Sequence, residues 1–120
     1  MSRVTVVVTP RDRFGGTAEC LAALRAGTPE PYDLLVLDLG WPRRVEREVC
    51  REVEGRAGAA VVRLGRMLPI EALARVRDRV RTPYAFLLDS DSLVEDGWLD
   101  PLVGTIEAGA AIAEIGRAHV

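Results

Sequence analysis

The sequence has no lysine, because all 16 of its basic side chains are arginine. A lysine nucleophile, base or phosphate clamp is therefore excluded. Histidine occurs once, at His119, so we expect no Ser-His-Asp or Cys-His catalytic set. The two cysteines, Cys20 and Cys50, fall on predicted helix faces, which indicates small buried hydrophobic residues rather than a disulfide scaffold or a zinc site. A reducing cytoplasm is the expected location.

Long apolar runs are also lacking: none approaches the roughly 18 residues that a membrane-spanning helix needs. The net charge of −2 gives no argument for a nucleic-acid partner or an anionic membrane. A length of 120 residues and a hydrophobic share of 48% fit one soluble globular domain. We therefore expect no nucleic-acid partner and no membrane segment in this chain.

Short apolar runs alternate with helical patterns along the whole chain. Such alternation predicts a parallel sheet with right-handed crossovers. The strands are expected at 4–8, 32–38, 59–64 and 84–88, with the start of a fifth at 110–113. The helices are expected at about 17–25, 42–55, 68–80 and 97–109, the third with Ile70, Leu73, Val76 and Val80 facing inward.

The run Tyr84–Leu88 is apolar throughout, which favours a strand that is buried on both faces. Asp89, Ser90 and Asp91 follow it directly. If the chain stays extended there, the two carboxylates point the same way, at the strand end where open α/β sheets bind ligands. A hard cation, Mg²⁺ or Mn²⁺, would offset their repulsion. The alternative is a solvated turn that only caps the strand.

Polar residues also follow the first two predicted strands. The first runs into Thr9 to Asp12, and the second ends at Asp38. Because the carboxyl ends of parallel strands lie at one edge of a sheet, these residues and Asp89 should form one acidic crevice. A phosphorylated ligand in an acidic crevice needs a cation between the charges, which favours a metal–diphosphate complex.

These segments together resemble the nucleotide-sugar half of a family 2 glycosyltransferase with the GT-A fold. The family opens with a β-branched strand that leads into a loop similar to the segment 9–13 here. Its second strand ends in an aspartate, as Leu35-Val36-Leu37-Asp38 does, and its fourth carries an Asp-x-Asp motif, as 82–91 does. The resemblance covers about residues 3–113. It implies a Rossmann-like three-layer α/β sandwich with a mainly parallel sheet, as in the N-terminal half of GT-A.

The resemblance also implies roles for individual residues. The loop 9–12 and Asp38 would hold the base and ribose of a UDP- or GDP-linked sugar. Asp89 would reach the ribose or the metal, and Asp91 would ligate Mg²⁺ or Mn²⁺ on the diphosphate, for sugar transfer to an unknown acceptor. No catalytic residue is assigned. The complete set of expected site residues is Thr9, Pro10, Arg11, Asp12, Asp38, Arg75, Asp89, Ser90 and Asp91.

The chain departs from the family pattern in two places. Leu39 follows Asp38, where the family often has a second aspartate, and Ala74-Arg75-Val76 keeps only part of its Ala-Arg-Asn motif. In the family, the catalytic base and acceptor site lie beyond the Asp-x-Asp. We therefore expect residues 1–114 to be the donor-binding part, with weak binding and no transfer in isolation. Residues 115–120 resemble a translated sequencing adapter and are expected to be non-native.

Two other interpretations remain open. The segment 32–42 also resembles the phosphoacceptor strand of a response-regulator receiver domain, with Asp38 as the acceptor. Receivers, however, use an acidic pair after the first strand and a lysine near the fifth, and this chain lacks both. A non-catalytic α/β interaction module, whose acidic strand ends merely cap a sheet, is the third possibility.

Overall fold

A computed structural model of the chain describes residues 3–9, 16–29 and 31–107. Four parallel strands form one sheet, in the spatial order β3-β2-β1-β4. The strands are β1 (Val4–Thr9), β2 (Asp33–Asp38), β3 (Ala59–Arg63) and β4 (Tyr84–Asp89). The helices are α1 (Thr17–Gly27), α2 (Arg43–Val53), α3 (Pro69–Val76) and α4 (Leu99–Glu107), with a 3-10 turn at Arg77–Arg79.

Helices cover the sheet on both faces. On one face, α1, α2 and α4 place Leu21, Val49 and Val103 in a core with the inward residues of all four strands. On the other face, α3 places Ala72 and Val76 against β1, β2 and β3. The expected Rossmann-like three-layer α/β architecture is therefore confirmed. None of these described helices is long and apolar enough to cross a membrane.

The central strand is β1, and all six of its residues are buried. It pairs with β2 on one side and with β4 on the other. Its sequence, Val-Thr-Val-Val-Val-Thr, is β-branched throughout, and such residues fit a pleated surface that is packed on both faces. Thr5, although polar, is satisfied there by a hydrogen bond between its hydroxyl and that of Thr82 at 2.6 Å.

The predicted alternation of strands and helices is confirmed through α4. The first helix continues to Gly27, two residues past its predicted end, and the third ends early, at Val76. The predicted fifth strand at 110–113 and the predicted helix stop at Gly109 lie outside the described residues.

The prediction that β4 is buried on both faces was wrong. Its residues alternate in exposure, and the side chain of Leu87 is 60% exposed. The physical reason is position: within the described residues β4 lies at the edge of the sheet, and α3 on that face covers the other three strands instead. A run of five apolar residues does not distinguish a central strand from an edge strand.

The prediction that Ile70 faces the core was also wrong, since its side chain is 71% exposed. Ala72 and Val76, four residues apart, form the buried stripe of α3 instead. Because each residue advances a helix by about 100°, Ile70 lies roughly 200° from Ala72 and points to solvent. Leu73 and Val80, which were also predicted to face inward, pack partly buried against this core.

The two tryptophans have opposite hydrogen-bond environments. The Trp98 indole N–H donates to the Thr28 hydroxyl at 2.6 Å, which ties the segment before α4 to the end of α1. Trp41 is more deeply buried, at 8% exposure. Among the described residues, none accepts a hydrogen bond from its buried indole N–H. A buried donor without an acceptor destabilises the folded state.

This contrast predicts the effects of replacing each tryptophan by phenylalanine. Trp98→Phe should lower the free energy of unfolding by about 1 kcal/mol more than Trp41→Phe, because only the first substitution breaks a hydrogen bond. Urea denaturation of the two variants would measure the difference. Packing alone predicts the reverse order, since Trp41 is the more buried side chain, and that order would contradict the prediction.

Candidate functional site

The carboxyl ends of the four strands form one edge of the sheet. The last strand residues along it are Arg63, Asp38, Thr9 and Asp89, in the spatial order β3-β2-β1-β4. From β1 the chain adds β2 and β3 on one side, and β4 then forms on the other. The strand order therefore reverses between β1 and β4. In open α/β sheets, ligands bind outside the carboxyl ends at such a reversal point.

Asp89 and Asp91 lie on a tight turn at this point. Asp89 pairs in register with Thr9, and the Ser90 N–H donates to the Thr9 carbonyl at 2.9 Å. The Ser92 N–H then donates to the Asp89 carbonyl at 3.0 Å and closes the turn. Ser90 is buried, whereas Asp89 and Asp91 are exposed. The condition under which the two carboxylates would point the same way, an extended segment at 89–91, is therefore not met, although both aspartates are exposed.

Cys20, in the first turns of α1, lies beneath this turn. Its thiol donates to the Asp89 carbonyl at 3.7 Å. The pKa of Cys20 is raised to about 12, mainly by burial and then by the negative charges of Asp91 and Asp89, while a backbone hydrogen bond from Ser92 opposes the rise. Both carboxylates therefore lie near one thiol. Cys20 was not among the residues predicted for the site.

Asp38 ends β2 and is buried by the turn that leads into α2. One of its carboxylate oxygens accepts hydrogen bonds from the backbone N–H groups of Gly40, at 2.9 Å, and Trp41, at 2.8 Å. Gly40 has a φ of 114°, a conformation that glycine adopts without strain. Asp38 is thus held rigidly by its own turn, and any ligand contact would use its other oxygen.

Asp38 and Asp89 share an edge but not a face of the sheet. The strand β1 lies between them, so their strands are about 10 Å apart. Side chains alternate along a strand, and Asp38 has the parity of Val36, in the core beneath α1 and α2. Asp89 pairs with Thr9, and Thr9 lies on the same face of β1 as Val7, which belongs to the core on the α3 side. The side chain of Asp89 therefore lies on the α3 side of the sheet. A ligand that contacts both must span the edge.

The two exposed carboxylates suit a hard divalent cation only in part. Among the described residues, no group of three or more His, Cys, Asp or Glu side chains could hold a metal ion. Mg²⁺ is typically bound through one or two carboxylates together with waters and the phosphate oxygens of a substrate. Asp89 and Asp91 fit that mode of binding, in which the ligand supplies the remaining oxygens.

Arginines are distributed unevenly around the edge. Arg63, at the end of β3, donates to Glu46 at 3.3 Å, and this hydrogen bond is the main cause of its raised pKa. Arg75 is exposed in the last turn of α3, a crossover helix that leads away from the carboxyl edge. Arg66, in the loop after β3, is exposed, and its side chain lies close to Gly40 in the Asp38 turn.

Arg66 was not among the predicted site residues. It could have been predicted, because it lies in the loop after β3 and the loops that follow parallel strands all lie at the carboxyl edge. The structure therefore brings Thr9, Asp38, Asp89, Ser90 and Asp91 to one edge. Pro10, Arg11 and Asp12 lie outside the described residues, and their expected roles remain predictions.

The chain matches the profile of Glycosyl transferase family 2 over residues 5–119. This chain belongs to that family. Its fold agrees, because a parallel sheet with alternating helices is what the family's Rossmann-like GT-A architecture requires. Members of family 2 transfer sugars from nucleotide-sugar donors to acceptors and commonly use divalent metals. A search of curated proteins found no match.

Family 2 membership and the strand order both exclude the receiver interpretation. Receiver domains have a flavodoxin-like order, 2-1-3-4-5, in which the third strand lies beside the first. Here β3 lies beside β2, at the far side from β1. Asp38 is moreover buried, and one of its oxygens is occupied by its own turn.

The position of Cys20 predicts a large difference in thiol reactivity. A pKa of about 12 keeps this thiol protonated at pH 8, and thiolate is the reactive form. Cys50 is only half-buried. A disulfide reagent at pH 8 should therefore modify Cys50 in Cys20→Ser far faster than it modifies Cys20 in Cys50→Ser. Equal rates in the two variants would show that the turn does not cover Cys20.

Proposed function

We propose that this family 2 chain binds a nucleotide-diphosphate sugar at the carboxyl edge of its sheet, as the donor-binding part of a hexosyltransferase. The observation that carries the proposal is the exposed pair Asp89 and Asp91, held on a hydrogen-bonded turn where the strand order reverses. The proposal concerns residues 1–114 and donor binding. The acceptor is not assigned.

The two aspartates of the turn would hold Mg²⁺ or Mn²⁺ together with the diphosphate. When bound, such a cation stabilises the negative charge of a leaving nucleoside diphosphate. Asp89 lies at a strand position whose side chains face the α3 side of the sheet, so we assign it the contact with the ribose or the metal, and Asp91 the metal.

The buried carboxylate of Asp38 would contact the base or ribose of a UDP- or GDP-linked donor. Two backbone N–H groups fix one of its oxygens, so its orientation is set before a ligand arrives. Thr9, with the loop 9–12 that follows it, would complete this subsite between Asp38 and Asp89. We place the protein in the cytoplasm, which agrees with its two free thiols.

Nucleotide binding should depend on Asp91 through the metal. In Asp91→Asn, the affinity for UDP or GDP measured with Mn²⁺ present should fall at least about tenfold, because a charge-assisted contact to the cation is lost. Binding with a chelator present should be equally weak in the variant and the wild type. Isothermal titration calorimetry measures both quantities.

The matched control for this experiment is Asp78→Asn. Asp78 is also exposed but lies in the 3-10 turn that follows α3, and the substitution changes the charge by the same amount. It should leave nucleotide affinity unchanged. Wild-type protein that binds neither UDP nor GDP with Mn²⁺ would instead favour a non-catalytic module.

Arg66 and Arg75 provide a second comparison at this site. Arg66→Met should weaken binding of the nucleoside diphosphate about five- to tenfold, because the Arg66 Cγ lies close to Gly40 of the Asp38 turn and its guanidinium would extend from there to the phosphates. Arg75→Met should have little effect, because α3 leads away from the site. The same calorimetric titration measures both. A larger loss in Arg75→Met would support the sequence-based assignment instead.

A further inference from the structure

The segment 90–98 joins β4 to α4, and it begins in the turn that holds the two site aspartates. It contains no helix or strand, so contacts with other elements must hold it in place. Near its start, the thiol of Cys20, in the first turns of α1, donates to the Asp89 carbonyl at 3.7 Å. Near its end, the Gly97 N–H donates to the carbonyl of Gly27, the last residue of α1, at 2.9 Å. One helix therefore holds both ends of this segment.

At Gly27 the backbones of α1 and of this segment approach each other closely. A Cβ atom on Gly27 would lie 3.0 Å from the Glu95 carbonyl oxygen and 3.5 Å from the Asp96 Cα. Both neighbours are backbone atoms, which cannot rotate away as the end of a flexible side chain can. Gly27 does not have a positive φ, and alanine adopts its helical conformation readily. Glycine is therefore required here by the close approach and not by the backbone conformation.

The end of the segment is fixed by a second set of contacts beside Gly27. The Trp98 indole N–H donates to the Thr28 hydroxyl at 2.6 Å, and the Trp98 ring lies 6.2 Å from that of Phe86 in β4, measured between centroids. A displacement at Glu95 therefore meets a fixed residue on its carboxyl side. On its amino side the irregular chain leads back, over four residues, to Asp91. The displacement should be taken up in that direction.

We propose that Gly27 is a positioning residue for the carboxylates of Asp89 and Asp91. It allows the end of the segment 90–98 to lie against α1, and the segment in turn holds the aspartate turn in place. Gly27 itself would touch neither the donor nor the metal. The inference rests on the proposed metal–diphosphate site, because Mg²⁺ demands near-ideal coordination geometry and binds less well to a displaced carboxylate.

The test compares Gly27→Ala with Gly104→Ala. Each substitution adds one methyl group to a helix and replaces glycine by a better helix former, but a Cβ on Gly104 would have no neighbour within 4 Å. With Mn²⁺ present, Gly27→Ala should lower the affinity for UDP or GDP about fivefold, because the carboxylates are displaced. With a chelator present, it should leave the affinity unchanged. Gly104→Ala should match the wild type in both titrations, which isothermal titration calorimetry measures.

Amide hydrogen exchange, followed by NMR, tests the positioning step without any ligand. The Ser92 N–H, which closes the turn on the Asp89 carbonyl, should exchange about tenfold faster in Gly27→Ala, while the amides of β1 keep their wild-type rates. A loss of overall stability would instead accelerate exchange in β1 as well. If Gly27→Ala does not fold, Thr28→Val serves as the second variant, because it removes the acceptor of the Trp98 indole beside the same contact. It should also accelerate exchange at Ser92.

Three results would overturn the proposal. The first is a folded Gly27→Ala protein with wild-type exchange at Ser92, and the second is faster exchange without a loss of Mn²⁺-dependent affinity. The third is an equal loss in Gly104→Ala, which would show that the close approach at Gly27 is not the cause. Wild-type protein that binds no nucleotide with Mn²⁺ would refute donor binding instead. Exchange at Ser92 would then still decide whether Gly27 positions the turn.

Discussion

The hydrogen-bonded ladder of β1 with its two neighbours is the constraint on which the rest of this structure depends. All six residues of β1 are buried, so the strand must have a partner on each side and a layer on each face. β2 and β4 are those partners. Because the strands are parallel, their ladders fix which strand ends meet. Thr9 is set beside Asp89, with Asp38 on the other side.

The arrangement of helices over this sheet explains why the two aspartate sites differ. Three helices lie on one face, where the turn into α2 buries Asp38 and supplies two N–H donors to it. On the other face the described part of the chain supplies α3, which does not extend over β4. Asp89, at the end of β4, is exposed. The carboxylate of Asp38 is preorganised by burial and by its two N–H donors, whereas Asp89 is positioned by the backbone of its turn.

Much of this fold could be predicted from the sequence, because the spacing of apolar residues and the Gly and Pro residues at the ends of helices and strands are local signals. The stripe Val45, Val49 and Val53 on α2 is buried as its spacing predicted. Sheet order is not a local signal, and so the edge position of β4 could not be read from Tyr84–Leu88. The same limit applies to Ile70, because the orientation of a short helix is decided by the surface onto which it packs.

The candidate site shows the same division between local and long-range information. The acidic strand ends were predictable, since polar residues that follow buried strands must lie at the sheet edge. The turn at Asp89 was not, because it depends on Cys20 beneath it and on the Thr9 carbonyl beside it, both distant in sequence. Arg66 was missed for a related reason: its proximity to Gly40 follows from the pairing of β2 with β3.

The charge balance at the carboxyl edge connects the fold to the chemistry. Of the four strand-end residues, Arg63 alone is cationic, and its guanidinium donates to Glu46 of α2. The chain has no lysine, so any further positive charge from the protein must come from an arginine. A diphosphate brought to this edge would meet Asp38, Asp89 and Asp91, whose repulsion must be offset. Arg66 can offset part of it, and a divalent cation that arrives with the diphosphate can offset the remainder, which is why donor and metal should bind here together.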